Sequence, residues 1–113
     1  AAWYEGGEGR LAVGREAVER AALSQRAVAR LWRVTGELPA SNEAALLPSP
    51  ERLAGGNVAA VRVLEAGTVE VTLGGDLLAG QTLLLRPRAR GDELHWDCSG
   101  GTLEPGARPP ECR

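Results

Sequence analysis

The chain has 113 residues, 43% hydrophobic and 25% charged, with 13 basic side chains, all Arg, against 15 acids for a formal net charge of −2. That length supports one core rather than two, and the near-balanced charge excludes a disordered chain and a uniformly basic or acidic surface. With no Phe, no Met and three Trp, the interior has to come from aliphatic side chains on one helix and one sheet face.

Residues 1–10 begin AAWYEGGEG and read as a poorly defined lead-in, because Gly6, Gly7 and Gly9 each weaken a helix by about 1 kcal/mol. From residue 11 to 34 the spacing predicts one amphipathic helix of about six turns. Leu11, Val13, Gly14, Ala17, Val18, Ala21, Ala22, Val28, Ala29, Leu31 and Trp32 share one half of the wheel, with Ser24 and Gln25 among them, and Arg15, Glu16, Glu19, Arg20, Arg26, Arg30 and Arg33 occupy the other. Gly36 offers a left-handed cap and Pro39 forbids continuation.

Residues 35–57 form a long connection with its own short helical pieces. Ser41 caps one turn and Ser49, followed by Pro50 and Glu51, caps another, with Leu46, Leu47 and Leu53 as expected anchors. A connection of this length in a small domain points to a function or an assembly contact.

Period-two alternation then takes over through residues 58–98. Val58–Glu65 and Thr68–Leu73 read as strands joined by a tight turn at Ala66-Gly67, and Gly74-Gly75-Asp76 ends the second. Thr82–Arg86 is more continuously apolar and reads as a central strand. Residues 86–92 carry the polar, Gly- and Pro-containing chemistry of a longer hairpin tip. Glu93–Cys98 returns, with Leu94, Trp96 and Cys98 on the inner face and Glu93, His95 and Asp97 outside. The fold expected is α+β: one long N-terminal helix packed on a four-stranded antiparallel meander, with Trp32 and Trp96 in the core, followed by a C-terminal loop.

Few residues carry chemistry. His95 is the single His and faces outward, so neither a catalytic triad nor a metal site is built around it. The doublets at Gly55, Gly74 and Gly100 match neither a dinucleotide fingerprint nor a Walker loop and read as turns. Arg90-Gly91-Asp92 spells a tripeptide read by some adhesion receptors, but three residues match too often by chance, and a hairpin tip is the preferred reading. Arg86, Arg88 and Arg90, with Arg108 and Arg113 nearby, form a candidate phosphate or DNA contact; a charge-protected sheet edge accounts for them equally well. Cys98 and Cys112 lack the partners of a zinc site and the spacing of a redox motif. A disulfide closing the C-terminal loop is favoured over two free buried thiols, and it places the chain in an oxidising compartment. The enclosed residues, SGGTLEPGARPPE, contain a single Leu and cannot order themselves by burial. No constellation supports an enzyme, a cofactor or a metal.

Taken in order, Val34, Gly36 and Pro39, the segment Ser41–Ala45, Val58, Val61 and Val63, the run Thr68–Thr72, Gly80–Pro87, Trp96–Cys98 and Pro110–Arg113 resemble the globular part of Gram-negative type IV pilins. The resemblance covers the chain from Leu11 onward. It implies a structural subunit of a pilus, a surface fibre used for adhesion, twitching motility or DNA uptake. The implied partners are other subunits in a helical fibre, the assembly machinery, and DNA or a host surface. Family members begin with a leader removed by a prepilin peptidase, a methylated N-terminus and an apolar helix half that holds the subunit in the inner membrane before assembly. That half is missing here, so the chain is expected to be a truncated, soluble form whose only membrane link is the missing segment. By position, residues 35–57 and 98–112 correspond to the variable edges that make contacts in the fibre. The alternatives are a DNA-binding minor pilin for natural transformation and a pseudopilin of a type II secretion system. Common pseudopilins carry a calcium-binding loop where this chain has a Cys pair. The truncated chain is expected to be monomeric and to bind DNA weakly.

Overall fold

A computed structural model describes residues 2–113, with side chains described from Gly9 onward. Helix α1 spans Ala2–Thr35, and at 1.5 Å per residue its 34 residues cover about 51 Å, the long dimension of the molecule being 52 Å. The segment read as a lead-in is therefore helical from Ala2, and the side chains of Trp3 and Tyr4 lie outside the described residues. Propagating an existing helix is far easier than nucleating one, so the continuous turns from Leu11 onward offset the glycine penalties. At the other end Gly36 takes φ 77° and donates its N–H to the Trp32 carbonyl at 2.8 Å, closing the helix as expected.

Strands β1 (Val58–Val63), β2 (Val69–Leu73), β3 (Thr82–Arg90) and β4 (Glu93–Gly100) form one antiparallel sheet in the order β1-β2-β3-β4. Val61, Val63, Val69, Val71, Leu83 and Leu85 point inward and are buried. They meet a helix face whose central line is Val13, Ala17, Ala21, Ser24 and Val28, also buried. Two alanines on that line let the backbones approach closely, which is how a chain without Phe or Met closes its core. The Ser24 hydroxyl on the same line is buried with no hydrogen-bond partner among the described residues. The helix packs on β1 and β2 and only reaches β3, so β4 stands apart from it.

Three expectations change here. First, β3 does not end at Arg86: it runs through Pro87 to Arg90, and the tip shrinks to Gly91-Asp92 with Gly91 at φ 62°. Pairing with β2 stops at Val69 opposite Leu85, so beyond that point β3 is paired with β4 alone and its other edge is open, and on an open edge a proline's missing N–H is tolerated. Second, Trp32 is half-buried and stands outside the core, while Trp96 packs on the core's margin. The phase of β4 is as read, because Cys98 is buried and Glu93, His95 and Asp97 are exposed. Third, Leu46 is no anchor. It is 82% exposed, because its φ of 60° reverses the chain and turns the side chain out; Leu47 and Leu53 do pack against the core.

Candidate functional site

The connection 36–57 and the disulfide loop 98–112 are each fixed by one buried polar residue whose bracing role the sequence did not single out. In the connection, the Ser41 hydroxyl accepts the Ala44 N–H at 3.0 Å, giving the expected turn; Ser49 makes no side-chain cap to the following short 3-10 helix. Buried Asn42 does the bracing. Its Nδ2 donates to the carbonyls of Pro48 at 2.9 Å and Val61 at 3.0 Å, and its Oδ1 accepts the Val63 N–H at 2.6 Å. One side chain thus pairs with the exposed edge of β1 as a neighbouring strand would, and blunts it. Farther on, Glu16 of α1 accepts the Asn57 backbone N–H at 2.8 Å and its side-chain amide at 3.0 Å. The Asn57 side-chain bond, then its backbone bond and Arg20, hold the Glu16 carboxyl below the usual range against the opposing effect of desolvation.

The C-terminal loop is closed by a Cys98–Cys112 disulfide and filled by Arg108, which is 7% exposed. Its Nε donates to the Leu103 carbonyl at 2.9 Å. Nη1 reaches the carbonyls of Cys98, Gly100 and Cys112 at 3.2, 3.0 and 3.4 Å, and Nη2 that of Gly101 at 3.0 Å. A guanidinium is the one side chain with enough donors to satisfy so many carbonyls at once. Leu103 and Ala107 are buried beside it. The loop is also strapped outward: the Leu103 N–H donates to the Thr82 carbonyl, Gln81 and Arg10 both donate to Glu104 Oε1 at 3.0 Å, and Ala107 lies directly on Gly14 of α1, where a Cβ would run into the Ala107 carbonyl. The loop therefore orders itself by polar convergence around a cation, which its composition did not reveal.

A model of the pilin family, described as a bacterial filament protein, matches residues 9–113. The chain belongs to the pilin family. No curated protein sequence matches it. The pilin's long helix, four-stranded antiparallel meander and terminal disulfide fit the type IV pilin fold. The family is structural and non-enzymatic, and its members assemble with other subunits into a fibre.

Of the arginines grouped in the sequence, Arg86, Arg88 and Arg90 share the exposed outer face of β3. Across the ladder they stand opposite Asp97, His95 and Glu93 respectively. Arg108 leaves the group, because its guanidinium is turned into the loop; Arg113 is exposed at the terminus and donates to the Arg108 carbonyl at 3.1 Å. Arg90-Gly91-Asp92 occupies the exposed hairpin tip. Among the described residues, no cluster of His, Cys, Asp and Glu is arranged to hold a metal, and no helix is long and apolar enough to cross a membrane.

Proposed function

We propose that this pilin is the globular part of a type IV pilus subunit, carried on an apolar helical segment that anchors it in the inner membrane before assembly and packs in the core of an extracellular fibre afterwards. The observation that carries the reading is the family match over residues 9–113 on a helix-plus-meander with a disulfide-closed loop. The connection 36–57 and the loop 98–112 are the edges offered to neighbouring subunits and to the outside. Leu46, exposed on a reversed backbone and bordering one groove with Leu23, also exposed, is the kind of apolar knob such a contact uses. The 113-residue chain alone is monomeric, because polymerisation depends on the apolar segment. A pilus role is preferred to a secretion pseudopilin because the C-terminal edge is a disulfide loop. DNA uptake through Arg86, Arg88 and Arg90 is the weaker reading, since two of the three face an acid directly across the ladder.

The test is made in cells producing the full-length protein. Sheared fibres should contain the chain as a constituent, and Leu46→Asp should lower fibre yield several-fold while leaving the urea midpoint of the 113-residue chain unchanged. Fibres that lack the chain would overturn the proposal.

A further inference from the structure

Positive charge on this pilin is unevenly matched. Residues 20–35 carry Arg20, Arg26, Arg30 and Arg33 and no acid, while the rest of the chain sets nine arginines against all fifteen acids. Arg26, Arg30 and Arg33 are exposed, and among the described residues none of them lies within ion-pair distance of a carboxylate. They follow one another at i, i+4 and i+7, so they form a stripe on one side of α1 with about 10 Å of rise from first to last.

The packing of α1 on β1 and β2 leaves β4 apart, and the space between them is an open groove of about 630 Å³. One wall is the arginine stripe with Gln25; the other is His95 and Trp96 of β4. Trp96 is half-buried, packs against the core and also lines the groove. Among the described residues the single acid lining the groove is Glu93, whose carboxylate lies 3.9 Å from His95 Nε2. From this juxtaposition we infer that the α1–β4 groove binds single-stranded nucleic acid, its phosphates on Arg26, Arg30 and Arg33 and an unpaired base against Trp96. Unpaired guanidinium groups supply the backbone contact, and an aromatic ring beside them takes a base only if that base is free to leave its stack. The inference goes beyond the structural-subunit reading and uses different residues from the β3 arginines.

The experiment is fluorescence anisotropy of a labelled thymidine oligonucleotide with the 113-residue chain across a salt series. Three phosphate contacts to a single strand give a slope of log affinity on log salt of about −2. Arg26→Gln, Arg30→Gln and Arg33→Gln together should weaken binding at least tenfold with circular dichroism unchanged, since among the described residues these side chains make no ion pair. The matching triple at Arg86, Arg88 and Arg90 should change it less than twofold. In a Trp3→Phe, Trp32→Phe background, the oligonucleotide should quench Trp96 emission. No saturable binding at low salt, a helix triple that binds like the parent, or equal affinity for duplex DNA or a sulfated polysaccharide would overturn the assignment.

Discussion

The connection and the disulfide loop solve one problem by different means. Both are irregular and both must satisfy backbone groups that no helix or ladder takes up. The connection borrows from the sheet: Asn42 bonds the edge of β1, while Ala45, Leu47 and Leu53 bury apolar surface beneath it. The loop has little apolar surface to bury, so it converges its carbonyls on Arg108 and adds a covalent closure. The difference teaches that an apolar edge can be held by one neutral amide, whereas a Gly- and Pro-rich edge needs a cation at its centre and a cross-link at its ends.

The sharpest way to break the comparison is Arg108→Ala. Five hydrogen bonds from a charged donor disappear and buried carbonyls are stranded, so urea unfolding should show a loss of about 3 kcal/mol or more, with Arg108→Lys recovering only a small part. Cys98→Ser with Cys112→Ser removes the closure of a 15-residue loop and should cost about 3 kcal/mol in the same measurement. Asn42→Ala strips the β1 edge of its substitute partner; a loss of about 2 kcal/mol and faster amide exchange at Val63 are expected, with the disulfide loop undisturbed.

Smaller effects test the joints. Gly14→Ala forces Ala107 away from α1 and should lower stability by about 1 to 2 kcal/mol, a helix-favouring substitution that nonetheless destabilises. Glu16→Gln tests the Asn57 joint through pH. The folded-state pKa of Glu16 is depressed, so its contribution is fully present above the ordinary Glu value of about 4.3 and is lost as pH falls through the lower folded value. The variant should be less stable than the parent at neutral pH, and the difference should vanish in acid; a difference independent of pH would remove the ionic character of that joint.

How far the sequence led depends on what each feature requires. Helix and strand faces follow from local period, so Val13, Ala17, Ala21 and Val28 on one side and Val61, Val63, Val69 and Val71 on the other are legible without coordinates. The order of elements and the terminal Cys pair, taken together, carry the family resemblance. Pro87 misleads because it reads as a breaker until one knows that β2 stops opposite Leu85. Leu46 misleads because an apolar residue in a connection is taken as an anchor, and only its reversed backbone shows otherwise. Arg108 is the instructive miss. An Arg among Gly and Pro residues looks like surface, and its burial depends on five carbonyls that meet only once the loop is closed.

The claim that Arg108 orders the disulfide loop is tested most directly by amide exchange at Leu103, whose N–H bonds the Thr82 carbonyl, in two proteins side by side: the parent with its disulfide reduced, and oxidised Arg108→Ala. The account predicts that Leu103 stays measurably protected in the reduced parent and exchanges close to the unfolded rate in the oxidised variant. Full protection in oxidised Arg108→Ala, with protection lost on reduction of the parent, would show that the cross-link alone holds the loop.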